Sequence, residues 1–177
     1  MLYKGKFYSP LDVKKEVAKA IRIDLMGEIG AKWLYSDQIE FFKADQETKE
    51  ELQEMLDHEK EHLDYFTNLQ AEKGVRPSPF YPFFKLFSHL IGLSYYLGKP
   101  YAMAVTEAIE DVIASHYEDQ AEFFDSIDSK WAEKLAQLAL EEKEHEDHAK
   151  EYTKFVPNLF KKLTKLGTKI MIKSAAL

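Results

Sequence analysis

The sequence has no cysteine among its 177 residues. Disulfide bonds and thiolate metal sites are therefore excluded, and any bound metal must have oxygen and nitrogen ligands. No stretch reaches the ~20 apolar residues that a membrane-spanning helix needs. Acidic residues outnumber basic ones by 31 to 24, which gives a net charge of -7. This balance argues against a nucleic-acid-binding protein, because phosphate contacts need clustered lysine and arginine.

Strand patterns and a signal sequence are also missing. No run of alternating apolar and polar residues predicts a strand, so we expect an all-α protein. Residues 1–9 contain Lys4 and Lys6 but no apolar run behind them, so we expect no secretory signal and a location on the cytoplasmic side. The length fits a single domain, residues 1–177, with a sizeable core.

Helix-start and helix-stop residues divide the chain into long helical patterns. Ser9, followed by a proline, is typical of a helix start; Asp45 can cap the second helix, and Gly74 ends it. Asp128 or Ser129 can cap the fifth helix. The expected helices cover approximately residues 10–44, 45–73, 83–97, 99–124, 130–155 and 157–177.

The motif Glu-Lys-Glu-His occurs twice, at residues 59–62 and 142–145. On a helix, residues three positions apart lie on one face, so each copy directs a carboxylate and an imidazole to one place. A single copy is weak evidence, since charged residues at this spacing are common on exposed helix faces. A glutamate precedes each copy, however: Glu28 by 31 residues and Glu110 by 32 residues. Tyrosine, glutamine and two phenylalanines follow both glutamates at identical spacings, so the two halves of the chain form an internal repeat.

This repeat predicts a dinuclear metal centre in a helical bundle. Ferritin-like bundles hold two metal ions through a glutamate from each of two helices and a Glu-x-x-His pair from each of the other two. Two divalent cations would neutralise the four carboxylates. We therefore expect an antiparallel ferritin-like four-helix bundle, about residues 10–155, with two short amphipathic helices added. The expected metal ligands are Glu28, Glu59, His62, Glu110, Glu142 and His145.

Two further side chains lie close to the expected ligands along their helices. Asp24 is one turn before Glu28, where it can accept a hydrogen bond from a ligand histidine; a buried polar residue bonded to backbone is the alternative. Tyr117 is two turns after Glu110 on the same face. Core packing is the commoner role of an aromatic at such a spacing, and it is the expectation for Tyr35.

Short motifs surround the expected ligands. They read Ile-Arg-Ile-Asp-Leu-Met-Gly-Glu-Ile-Gly-Ala at 21–31, Glu-Lys-Glu-His-Leu at 59–63, Val-Arg-Pro at 75–77, Ala-Ile-Glu at 108–110, His-Tyr at 116–117 and Glu-Lys-Glu-His at 142–145. With these motifs the chain resembles, from about residue 21 to its C-terminus, the demethoxyubiquinone hydroxylases, membrane-associated di-iron monooxygenases of ubiquinone biosynthesis. The resemblance implies two iron ions on the six ligands, activation of dioxygen and hydroxylation of a demethoxyubiquinol ring. It also implies that His116 and Tyr117 move protons or electrons near the irons.

The chain departs from the family pattern in two places. The family is rich in glycine and alanine after the prolines, whereas residues 88–98 include the bulky Tyr95 and Tyr96. Leu25 stands after Asp24, where the family often has histidine. The first departure lies where the quinone is expected to enter.

Two segments, about 79–98 and 157–177, are expected to face a membrane. The first is aromatic and apolar with one lysine, and the second has five lysines and no acidic residue. A basic amphipathic helix on an acidic body fits peripheral docking to the cytoplasmic face of the inner (cell) membrane. The alternative is that these apolar faces complete the core or form a homodimer contact. The apolar residues of the second segment share one helical face: Leu159, Leu163, Leu166 and Ile170.

The expected partners are a polyprenyl quinol, dioxygen and a membrane surface, and the resemblance adds a lipid-binding accessory protein. The sequence has no nucleotide-binding glycine motif, so electrons must come from an external reductant or from the quinol itself. Other di-iron oxidases or peroxidases and iron-handling proteins remain alternatives. A purely structural bundle leaves the repeated carboxylate and histidine spacing unexplained.

Overall fold

Six α-helices form the fold, as a computed structural model describes it for residues 9–41 and 46–176. No strand occurs within these two ranges, so the all-α expectation is confirmed. The four long helices form two antiparallel hairpins, α1 with α2 and α4 with α5, that pair as the expected ferritin-like bundle. The elements are α1 (Pro10–Phe41), α2 (Gln46–Lys73), α3 (Tyr81–Gly92), a 3₁₀ helix (Leu93–Leu97), α4 (Lys99–Phe124), α5 (Ser129–Lys150) and α6 (Asn158–Ala175).

Capping residues begin and end several helices as the sequence predicts. The Ser9 hydroxyl accepts a hydrogen bond from the backbone N–H of Asp12 at 3.3 Å, and the Asp12 carboxylate accepts one from the Ser9 N–H at 3.2 Å. The Asp128 carboxylate accepts from the Trp131 N–H at 3.1 Å, so Asp128 is the cap of α5. Gly74 ends α2 with a φ of 62°, a left-handed conformation that glycine adopts without steric cost.

The end of α5 differs from the prediction, which places it five residues too late. The helix ends at Lys150 because the next three N–H groups bond to carbonyls three residues back, which tightens the chain into a 3₁₀-type turn. The Thr153 hydroxyl then donates to Glu107 of α4 at 2.5 Å and holds this turn against the bundle.

The third helix also differs from the prediction, since it begins earlier and divides in two. It starts at Tyr81 because Pro82 occupies its first turn, where the missing N–H of proline is not needed. At Leu93 it passes into the 3₁₀ helix. The expected cap Asp45, the predicted end of the first helix at Ala44 and residues 1–8 all lie outside the described residues.

A polar layer crosses the middle of the bundle between two apolar clusters. On every long helix, the expected ligands lie between residues of one cluster and residues of the other. One cluster includes Ile21, Phe66, Tyr117, Phe124 and Leu135. The other includes Tyr35, Leu52, Met55, Met103 and Ala149. The two clusters stabilise the fold by burying apolar area and keep water away from the layer between them.

Helices α3 and α6 lie outside the bundle, α3 against α1 and α6 mainly against α4. Lys161 and Lys165 of α6 form ion pairs with Glu107 and Asp111 of α4, each at 2.7 Å, so two of its five lysines attach it to the bundle. Within residues 9–41 and 46–176, no helix is both long enough and apolar enough to cross a membrane.

Candidate metal centre

The structure brings the six expected ligand side chains together in the polar layer. All six are buried, with at most 5% of each residue exposed. Their ligand atoms form two groups of four, and within each group all atoms lie within 4.8 Å of one another. The first group is Glu28, Glu59, His62 and Glu142; the second is Glu59, Glu110, Glu142 and His145.

The two groups share Glu59 and Glu142, one from each hairpin. Each group is completed by a histidine and a glutamate of its own: His62 with Glu28, and His145 with Glu110. Both histidines turn Nδ1 toward the carboxylates, His62 at 3.2 Å and His145 at 3.2 Å from Glu142. This arrangement is typical of two neighbouring metal positions that share two carboxylates.

Buried polar atoms without hydrogen bonds show that the centre fits cations. Glu28 Oε2, Glu59 Oε1, His62 Nδ1 and Glu142 Oε1 are all buried and make no hydrogen bond. Leaving such an atom unsatisfied costs about 1–3 kcal/mol. Carboxylate oxygens and imidazole nitrogens suit first-row transition metals such as iron and manganese. The donor set therefore fits two divalent metal ions.

The electrostatics of the metal-free layer point the same way. Burial raises the pKa of Glu59 and Glu110, and the neighbouring carboxylates add to the increase. Burial alone would lower the pKa of His62, but its contacts with Glu142 and Glu28 outweigh this and raise the pKa to about 12. Burial likewise acts to raise the pKa of Glu142, but its close contacts with His145 and His62 lower it to about 2. Several of these side chains thus hold protons to higher pH than usual when no metal is bound.

Two tyrosines support the unshared glutamates in a symmetric way. Tyr117 of α4 donates to Glu28 of α1, and Tyr35 of α1 donates to Glu110 of α4. The expectation that Tyr35 serves only core packing is therefore incomplete. The matching positions of the two tyrosines in the internal repeat were the signal that could have revealed the second hydrogen bond.

The ligand histidines have outer partners that the sequence interpretation missed. His62 Nε2 lies 2.8 Å from Glu141 Oε2, and His145 Nε2 lies 3.1 Å from His58 Nδ1. Glu141 and His58 occupy matching places in the repeat, each immediately before the motif glutamate. That match is a sequence signal that the two residues share a role, but the facing of α2 and α5 decides which histidine each one contacts.

Asp24 and His116 lie beside the centre rather than in it. Asp24 accepts a hydrogen bond from Gln120 at 2.7 Å, and His116 Nε2 lies 2.8 Å from the same Gln120 nitrogen. The expectation that Asp24 accepts from a ligand histidine is wrong, because Asp24 faces Gln120 of α4 while α2 and α5 supply the partners of both histidines. Burial raises the pKa of Asp24 and lowers that of His116 to about 4.

An apolar cavity of about 50 Å³ lies between α1, α3, α4 and α6, and some of its lining residues adjoin Glu28 and Glu110 in the chain. Gly27 and Gly30 line it beside Glu28, and Ile109 lines it beside Glu110. Its hydroxyl groups bond to backbone carbonyls of their own helices, Ser88 at 2.9 Å and Thr168 at 3.1 Å, so the wall is apolar. The other lining residues are Met26, Ala31, Phe84, Phe87, Ile91, Ile113, Met171 and Ile172.

One family profile matches residues 15–175, which is nearly the whole chain, and its description is ubiquinone biosynthesis protein COQ7. This chain belongs to that family. The resemblance drawn from the motifs is therefore confirmed.

Individual relatives agree with the family match. The chain is 35% identical over 165 residues to the mitochondrial NADPH-dependent 3-demethoxyubiquinone 3-hydroxylase of Dictyostelium discoideum, across 88% of this chain and 75% of that relative. It is 33% identical over 133 residues to the Caenorhabditis elegans protein of the same name, across 75% and 71%. It is 30% identical over 142 residues to the 3-demethoxyubiquinol 3-hydroxylase of Xylella fastidiosa, across 80% and 64%.

Proposed function

We propose that this protein is a di-iron monooxygenase that uses dioxygen to hydroxylate the ring of a demethoxyubiquinol. The observation that carries the proposal is the buried layer of four glutamates and two histidines in two overlapping four-ligand sets. Family membership supports the substrate class, because the relatives are named as hydroxylases of demethoxyubiquinone or demethoxyubiquinol.

Each iron position would have two ligands of its own and two shared ones. When bound, the irons would supply the activation of dioxygen. The unshared pairs are Glu28 with His62 and Glu110 with His145, and the shared ligands are Glu59 and Glu142.

The protein's own residues would hold this centre in shape and keep it dry. Tyr117 and Tyr35 fix the orientation of Glu28 and Glu110 by donating a hydrogen bond to each. The apolar clusters on both sides of the layer exclude bulk water, which strengthens the electrostatic interactions inside.

His116 and Tyr117 are the proposed proton and electron carriers beside the centre. The phenol of Tyr117 contacts Glu28 directly. His116 reaches the same region through Gln120 and Asp24. We assign Asp24 a supporting role outside the ligand set. A proton on Tyr117 Oη is thus placed to pass to or from Glu28.

The quinol ring would approach through the apolar cavity, on the side of Glu28 and Glu110. Helices α3 and α6 separate this cavity from an exposed apolar surface. We propose that this surface docks peripherally on an anionic membrane, at the cytoplasmic face of the cell membrane, from which a polyprenyl quinol enters. Three lysines of α6 are exposed and support such docking: Lys162, Lys169 and Lys173. The exposed apolar residues are Phe83, Leu86, Leu90, Leu93, Tyr96, Leu97, Leu159, Leu163, Leu166 and Ile170.

The cavity of about 50 Å³ is smaller than a substituted six-membered ring, so side chains must move when the quinol enters. Phe87 of α3 lies against Gly167 of α6, where an added Cβ would come within 3.1 Å of its ring. We propose that this contact opens for the substrate.

The electron donor and further partners belong to the same proposal. Relatives are named NADPH-dependent, so reduced pyridine nucleotide is the first reductant to test. A lipid-binding accessory protein or a second copy of the chain are the candidates for covering part of the exposed apolar surface.

Labelled dioxygen tests the proposal directly. Iron-loaded protein with ¹⁸O₂, a reductant and a short-chain demethoxyubiquinol should give a product carrying one ¹⁸O, detected by mass spectrometry. Glu59→Ala and Glu142→Ala should lose iron and product, whereas Glu61→Ala and Glu144→Ala, exposed positions in the same motifs, should keep both. Product formation by metal-free protein would refute the assignment. Oxidation of Fe(II) without any hydroxylated quinol would favour the iron-handling alternative.

A further inference from the structure

The internal repeat makes His58 and Glu141 equivalent in position but different in chemistry. Each residue immediately precedes the glutamate of its Glu-Lys-Glu-His motif, and each contacts the ligand histidine of the other motif. The residue behind each ligand histidine therefore comes from the other hairpin. Glu141 of α5 contacts His62 of α2, and His58 of α2 contacts His145 of α5. A carboxylate performs this role for His62 and an imidazole performs it for His145.

The orientation of the histidines fixes which nitrogen would bind metal. Both Nδ1 atoms face the glutamates, so Nδ1 would be the ligand atom and Nε2 would carry the proton. The Nε2–H of His62 then donates to Glu141 Oε2 at 2.8 Å. The Nε2–H of His145 donates to His58 Nδ1 at 3.1 Å.

These two hydrogen bonds differ in strength. A bond to a carboxylate is charge-assisted and makes the imidazole a better donor to a metal, whereas a bond to a neutral ring nitrogen does so much less. Glu141 is also held in place by Gln137, whose Nε2 donates to its Oε1 at 2.7 Å. His58 lacks such a clamp among the hydrogen bonds of the described residues and is exposed.

The surroundings of His58 add to the difference. His58 and His145 both line a cavity of about 180 Å³ between α2 and α5, together with the exposed Glu54 and Glu144. The charges of these two carboxylates are screened by water, and neither replaces the bond that Glu141 makes in the other half.

We infer that the two metal positions are unequal, the position beside His62 binding its ion more tightly than the position beside His145. The inference rests on the proposed two-metal centre. Outer-shell partners of metal-bound histidines typically change affinity 10–100-fold, so we expect dissociation constants that differ by about that factor. The centre would then load in order, with the His145 position filled last and emptied first.

Anaerobic calorimetric titration of the metal-free, full-length protein with Fe(II) tests this order. The wild type should show two steps. His58→Glu, which gives both histidines a carboxylate partner, should tighten the weaker step about 10–100-fold and leave the tighter one unchanged. Glu141→Gln, which keeps an acceptor but removes its charge, and Glu141→His should both weaken the tighter step. Glu144→Gln is the matched control, because Glu144 lines the same cavity without bonding to His145, and it should change neither step.

The variants also separate the inference from simple repulsion between two bound ions. Repulsion would give two steps in every variant, so a weaker step that does not respond to His58→Glu overturns the inference. Two equal steps in the wild type overturn it while leaving the two-metal centre in place. Absence of any iron binding overturns both. Circular dichroism of each metal-free variant checks that the helices are retained.

Discussion

Individual side chains in the polar layer hold protons more tightly than usual when no metal ion is bound. Burial and neighbouring carboxylates raise the pKa of Glu59 and Glu110, and interactions with Glu142 raise the pKa of His62 and His145 despite their burial. These groups therefore keep their protons to higher pH in the metal-free protein than the free side chains would. Metal binding must displace those protons.

Iron binding should release protons from these groups, and the apparent affinity should fall as the pH is lowered. The affinity falls at lower pH because all four pKa values are raised, so protons compete more strongly with the metal for these side chains. A pH indicator in weakly buffered solution, titrated anaerobically with Fe(II), measures the release. Glu59→Gln, which removes a shared ligand, should bind less iron and release fewer protons, and a proton count near zero in the wild type would contradict the ligand assignment.

The hydrogen bond from Tyr117 to Glu28 leads to a second prediction at this scale. Tyr117→Phe should retain iron, because no ligand is removed, but should slow turnover about 10–100-fold, the range typical of outer-shell partners. Iron content and single-turnover rates provide the measurement. Tyr35→Phe is the matched control, since it removes the equivalent bond to Glu110. Equal losses in both variants would show that Tyr117 only supports a carboxylate, and an unaltered rate would reduce it to core packing.

At the scale of elements, α6 has two different faces. One face, with Thr168, Ile172 and Ala175, is buried against the bundle, and Lys161 and Lys165 attach the helix to α4. The opposite face exposes four aliphatic side chains, each at least 55% exposed. These exposed residues do not complete the core of the chain, which removes one alternative that the sequence left open.

Replacing two of those residues should weaken membrane docking. Leu163→Asp with Leu166→Asp adds charge to the apolar face of α6 and should reduce co-sedimentation with anionic vesicles by about tenfold or more, since burying each leucine contributes roughly 1.5–3 kcal/mol. Leu140→Asp is the matched control because Leu140 is exposed on α5 and lies outside both α3 and α6. Unchanged binding of the double variant would exclude this face from docking.

At the scale of the whole molecule, the polar layer joins the two hairpins. Each proposed metal position takes ligands from both, so bound ions would link α1 and α2 to α4 and α5. A ligand that binds only the folded state stabilises it by about 2.7 kcal/mol at one hundred times its dissociation constant.

Iron should therefore raise the melting temperature by about 5–10 °C, at roughly 2–4 °C per kcal/mol for a chain of this size. Anaerobic differential scanning calorimetry with and without Fe(II) measures the shift. The Glu142→Ala variant, which lacks a shared ligand, should show little change. An equal shift in that variant would indicate iron binding elsewhere on the molecule.

The sequence alone predicted the helices, the bundle and the six candidate ligands, because helix periodicity and the internal repeat are visible without any tertiary contact. It also supported the family assignment through motifs around Glu28 and Glu59. Helix ends that depend on contacts between elements, such as the end of α5 at Lys150, were missed.

Only the tertiary structure decided how neighbouring helices face each other. It showed that Glu59 and Glu142 belong to both ligand sets, that Asp24 bonds Gln120 and that Tyr35 supports Glu110. It also placed Glu141 and His58 behind the ligand histidines. These contacts join residues far apart in the chain, and their partners depend on how α1 meets α4 and how α2 meets α5 across the bundle, which periodicity within one helix does not specify.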